Sequence, residues 1–159
     1  MDASASAWHE AGHLYCRWFF LHKIQSAEIG EECVVGLSGV VRLEPAESQQ
    51  ILSDSQAQIF HCLICACAGY AAEALAGFYD ATSEWETSGD HRRAKKFANG
   101  DTKLIEGSRR IADHILITYW PKVQELAEEL EKAGRLSGEQ ISGILEQDRR
   151  DLPTNSIAA

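Results

Sequence analysis

His9-Glu10-Ala11-Gly12-His13 sets two imidazoles four residues apart, with a carboxylate beside the first. On a helix, side chains at i and i+4 stand one above the other, so both rings reach a single ion. Imidazole is a good zinc ligand, and zinc in an open site lowers the pKa of a bound water to about 7. Glu10 is then placed to take a proton from that water and pass it to a leaving amine. A structural zinc site has no use for such a base, so the pattern points to a metallohydrolase. A third protein ligand is needed. His22, His61, His91, His114 and many carboxylates, Glu73 among them, are available. Asp90 is the best placed, because Thr87-Ser88-Gly89-Asp90 ends a loop and opens a helix, where an aspartate also serves as a plain N-cap. Gly12 costs roughly 1 kcal/mol in a helix interior, which predicts that another segment packs closely against its turn.

The elements that must carry these residues can be read along the chain. Ser4 or Ser6 caps a helix running to about Lys23, with Trp8, Ala11, Tyr15 and Trp18 on one face and His9, His13, Cys16 and Phe20 on its neighbour. From Ile24 to Leu43, β-branched residues punctuated by Gly30, Gly36 and Gly39 predict a small hairpin turning near Gly30 to Gly36, closed by Pro45. Ser53 or Asp54 caps a long apolar helix ending near Gly77, and Phe78 to Ser88 reads as a loop. A short helix follows from about Gly89 to Ala98. A third long helix spans Lys103 to Lys132, bent at Pro121, and a last one runs from Ser137 to about Gln147. The expected fold is mainly α, one compact domain with the hairpin beside the histidine helix.

Composition narrows the partners. A chain of 159 residues, 45% hydrophobic and 25% charged, can bury one sizeable core. A formal net charge of −9 argues against nucleic acid, which needs a basic surface. The uninterrupted apolar run Cys62 to Ala72 is shorter than the roughly 20 residues of a bilayer span, so a buried core helix is expected. Met1-Asp2-Ala3-Ser4 lacks the basic flank of a signal peptide. Five cysteines, three crowded at Cys62, Cys65 and Cys67, do not form a secreted disulfide framework, and a reducing cytoplasm is expected. These three read as small buried residues, His61 and His114 as core or surface histidines, and His91, Tyr70 and Tyr79 as helix or loop residues ahead of any oxyanion role.

The residues resemble the proteolytic domain of the FtsH-type ATP-dependent zinc metalloproteases. His9-Glu10-Ala11-Gly12-His13 reproduces that family's H-E-A-G-H, and Ala68-Gly69-Tyr70-Ala71-Ala72-Glu73 is similar to its G-G-R-A-A-E. Ser88-Gly89-Asp90-His91-Arg92-Arg93-Ala94 is similar to S-N-D-x-x-x-A. Leu126-Ala127-Glu128-Glu129-Leu130 and Leu136-Ser137-Gly138-Glu139-Gln140-Ile141 resemble its closing L-A-x-x-L and L-x-G-E-E-I. The matches keep the family's order and cover nearly the whole chain.

The resemblance implies a peptidase domain over residues 1–150 with a loose tail at 151–159. It implies His9, His13 and Asp90 as ligands of Zn2+, Glu10 as general base, and Glu73 as a residue packed behind the ligands. The hairpin would flank the cleft, where a peptide adds as an extra strand. The sequence contains neither the family's AAA+ module nor its membrane spans, Tyr70 replaces an arginine and Gly89 an asparagine, and the stretch from Ala98 to Lys103 is shorter. The implied substrates are therefore short or already unfolded polypeptides, and the implied protein partners are further copies of the chain or a separate ATPase. The rival expectations are a non-catalytic zinc-binding or regulatory domain that retains the protease fold, and a hydrolase of small molecules with a closed pocket.

Overall fold

The computed structural model describes residues 3–30, 39–44, 56–78 and 84–151. Among them lie six helices and a three-stranded antiparallel sheet, so the mainly α fold expected from the sequence is the one observed. Helix α1 (Ala5–Phe19) begins where the Ser4 hydroxyl accepts the Ala7 amide. Ser4 is itself fixed from outside: its amide and its hydroxyl both donate to the Glu131 carboxylate, at 3.0 and 2.6 Å. The face Ala7, Ala11, Leu14, Tyr15 and Trp18 is buried.

The helix ends four residues earlier than the spacing predicts. His22 N–H donates to Arg17 O and Leu21 N–H to Trp18 O, the paired bonds of a Schellman turn, with Leu21 in the left-handed region at φ 65°. A glycine normally marks that position, and its absence here hides the stop.

Helix α2 (Gln56–Leu75) is the core of the molecule. By length and composition it could cross a bilayer, yet 61% of its most apolar window is buried inside the fold, against α1 and α4 (Thr102–Thr118). The close packing expected at Gly12 is present. A Cβ there would lie 2.4 Å from Ala68 O and 2.7 Å from Ala72 Cβ, so only glycine lets the two helices approach. The expected caps Ser53 and Asp54 lie outside the described residues.

Strands β1 (Ile24–Ile29) and β2 (Gly39–Leu43) form the antiparallel pair expected from the β-branched pattern, with Ala27 opposite Val41 and an irregularity between Ile24 and Ser26. The expected turn at Gly30 to Gly36 lies mostly outside the described residues, as does Pro45. A third strand was not anticipated. β3 (Arg135–Ser137) pairs with the other edge of β1, giving the order β2-β1-β3. Three residues are too few to show an alternating pattern, and only Leu136 among them is buried.

Helix α3 (Gly89–Phe97) follows the expected bounds within a residue. The expected single helix over Lys103 to Lys132 is instead two, α4 and α5 (Trp120–Ala133), meeting at Tyr119. Pro121 lacks the amide that would bond back to Ile117 and its ring crowds that carbonyl, so the ladder restarts rather than bending. Gly134, at φ 68°, ends α5, and α6 (Gly138–Asp151) runs four residues beyond its expected end and into the first residue of the expected tail. The rest of that tail lies outside the described residues.

Candidate metal centre

Three elements converge on one point. α1 presents His9 and His13 a turn apart, and the first turn of α3 presents Asp90 from across α2. His9 Nε2 and His13 Nε2 lie 3.0 Å from each other and 3.0 and 3.1 Å from Asp90 Oδ2. Tetrahedral zinc with bonds of 2.0–2.1 Å separates its ligand atoms by about 3.3 Å, so the spacing is close to that of a ligand triad. Among the described residues His9, His13 and Asp90 form a group that can hold a metal ion.

Protons on the imidazoles decide what this point can accept. His9 Nδ1 meets Glu73 Oε1, and His13 Nδ1 meets the Cys65 carbonyl at 2.8 Å. An ionised carboxylate and a carbonyl only accept, so each Nδ1 carries the proton and donates. Were both rings neutral, both Nε2 atoms would turn lone pairs toward one another and toward a carboxylate oxygen. A single proton can relieve one of these contacts; a cation at the centre relieves all three. Anchoring of the far imidazole nitrogen is the arrangement that orients histidine ligands and strengthens them as donors.

Without a metal the charges compensate within the protein. Burial pulls the His9 pKa down, but its hydrogen bonds to Asp90 and Glu73 outweigh it and raise the ring to about 10. Burial pushes the Asp90 carboxyl up, and the charges and hydrogen bonds of His13 and His9 overcome this, holding it well below the usual carboxylate range. Its second oxygen lies 3.6 Å from Arg93 Nη1.

Glu10 is 3% exposed and lies within the field of this cluster. Burial raises its pKa above the ordinary value; His13 and His9 pull it back, and Asp90 and Glu73 push it up again. A carboxylate raised in this way is a better proton acceptor than an ordinary one.

Two supports were not singled out from the sequence as parts of the site. A Cβ on Gly69 would fall 2.5 Å from His13 Nε2 and 2.6 Å from His9 Nε2, so this glycine is the floor on which both rings sit. Its place in the stretch resembling G-G-R-A-A-E was the available signal. The Cys65 carbonyl had none, being backbone that any residue supplies.

The remaining candidates fall elsewhere. His22 and His61 lie at the far end of α1, His114 is exposed on α4, and His91 donates Nδ1–H to the Glu86 carbonyl and leans on Trp85. Burial lifts the Cys65 and Cys67 thiols to about 12, which keeps them protonated and poor as metal ligands. Tyr79 lies outside the described residues. Comparison of the chain with protein-family models and with curated proteins finds no match.

Proposed function

We propose that this chain is a zinc-dependent metallopeptidase that hydrolyses short or unfolded polypeptides, akin to the proteolytic domain of FtsH-type proteases. One observation carries the reading: two Nδ1-anchored imidazoles and one carboxylate aim their remaining ligand atoms at a common point, with a buried glutamate on the same helix turn. The chemistry zinc supplies when bound is Lewis acidity and a water acidified to a pKa of about 7.

The chain's own residues do the rest. His9, His13 and Asp90 would hold the ion. Glu10 accepts the proton of the attacking water on its carboxylate and returns it to the amine nitrogen as the peptide bond breaks. Two imidazoles and one carboxylate also suit iron; Glu10 favours zinc, because a hydrolytic site needs a base and an oxygenase triad does not. Among the described residues β2 pairs on one side only, with β1, which leaves it able to accept an extended peptide.

The test is metal content together with cleavage of an unstructured protein such as casein. Wild type is expected to carry one zinc per chain and to cut. Glu10→Gln is expected to keep the zinc and lose about 10²–10⁴ in kcat. Cleavage at the wild-type rate by that variant would remove Glu10 as the base. A fully loaded wild type that never cuts would favour the non-catalytic, zinc-holding domain.

A further inference from the structure

Resting on the metal reading above, we infer that Tyr70 is the positioning residue of the centre, joining His9 to the segment that delivers Asp90. Two of the three ligands share one helix and are placed by its geometry. Asp90 comes from α3, separated by many residues from α2, and something must set its distance from the histidines.

Tyr70 follows Gly69, the floor of the site, and its ring meets His9 edge-on at 4.7 Å with an interplanar angle of 88°. This blocks rotation of the imidazole about its last torsion, adding to the hold of Glu73 on Nδ1. The other side of the same ring meets Trp85, buried at 5% exposure, at 5.6 Å and 70°. Ser88 is the N-cap of α3: its oxygen accepts the His91 amide at 3.0 Å and donates to Trp85 O at 2.7 Å. Asp90 is the second residue of that helix. One side chain therefore touches a ligand and the tryptophan whose carbonyl holds the cap of the helix that carries another. Arg109, stacked 5.4 Å over Trp85, closes the segment from the far side.

The experiment measures zinc affinity by chelator competition and the visible spectrum of the cobalt-substituted protein, for wild type, Tyr70→Leu and Tyr70→Phe. Tyr70→Leu is expected to bind zinc about 10–100-fold more weakly, the range for residues supporting a metal ligand, and to shift the cobalt bands. Tyr70→Phe keeps the ring contacts and is expected to lose only a few-fold.

Combining Tyr70→Leu with Trp85→Leu is expected to cost less than the sum of the two single losses, since both remove the same ring contact. Tyr70→Leu with wild-type affinity and an unchanged cobalt spectrum would overturn the inference, whatever its activity. If Tyr70→Leu fails to fold, Trp85→Leu decides, because it removes the ring's other partner, and wild-type zinc affinity in that variant overturns the inference. A wild type that binds no metal would show before any variant is made, and would remove the metal centre and with it this brace.

Discussion

The two ends of α1 each bring histidines together with α2, and the two pairs have opposite electrostatics. At the upper end His9 and His13 rest their Nδ1 protons on Glu73 and on the Cys65 carbonyl, and turn their Nε2 atoms toward Asp90. At the lower end Arg17 Nη1 donates to His22 Nδ1 at 3.3 Å, and His61 stacks on Phe20 with ring centroids 4.1 Å apart. An arginine donating to Nδ1 leaves the His22 proton on Nε2, so both ring nitrogens are spoken for and a cation already sits alongside. Burial, then Arg17, then His61, lower the His22 pKa to about 4, whereas His9 rises to about 10 despite its burial. Histidine number does not make a metal centre. Acceptors on the far nitrogen and a carboxylate in front are what a metal centre needs.

The strongest way to break this contrast is to remove its carboxylate. Asp90→Ala is expected to weaken zinc binding by more than about 100-fold, beyond the range for residues that only support a ligand, while His22→Gln leaves stoichiometry and affinity unchanged. Chelator competition on the two variants decides it; equal losses would erase the distinction between the pairs. Retention of full zinc by Asp90→Ala would transfer the third-ligand role elsewhere, Glu73 first. Next in size is the anchor itself. Glu73→Leu removes the acceptor on His9 Nδ1 and is expected to cost about 10–100-fold in zinc affinity. An unchanged affinity would show that the imidazole is oriented by its ring contacts alone.

The lower pair makes a pH prediction. His22 is neutral in both folded and unfolded chains above pH 7. As pH falls below its ordinary value of 6.5, the unfolded chain gains a proton that the folded one refuses until about pH 4. Stability therefore drops across that window, by at most about 1.4 kcal/mol per unit and less where solvent screens the ring. Arg17 and His61, the charged groups facing His22, both act in the same direction. Denaturant melts from pH 7 to 4 are expected to be flatter for His22→Gln than for wild type. Parallel curves would mean that His22 protonates readily in the fold.

How much of this was legible follows the range of the forces. The two histidines and Glu10 share one helix turn, and local periodicity suffices to bring them together. Asp90 was readable as a helix-opening aspartate, and Glu73 became readable as a support through the stretch around Gly69. The bond from His13 to the Cys65 carbonyl was not, because backbone acceptors leave no mark on residue type. Strand β3 escaped for a related reason: its pairing with Glu28 and Ser26 is long-range, and three residues hold no period. Tyr119 as a break between α4 and α5 was half legible, since Pro121 announces a disruption but not whether the helix bends or restarts.

The smallest expected effect concerns the turn that separates the two pairs. Leu21 folds the chain back so that His22 N–H reaches Arg17 O, and it does so at φ 65°, where a Cβ costs roughly 1–2 kcal/mol. Its side chain is 67% exposed, so little packing offsets that strain. Leu21→Gly is expected to relieve it, less the roughly 0.4–1 kcal/mol that glycine loses through the freer unfolded chain. The net gain is a few tenths to about 1 kcal/mol in denaturant melts, with zinc affinity unchanged because His9 and His13 lie two turns or more away. A loss of stability would show that Leu21 is held by something its exposure hides. A change in zinc affinity would show that the two ends of α1 are coupled, and that the contrast between them is not local.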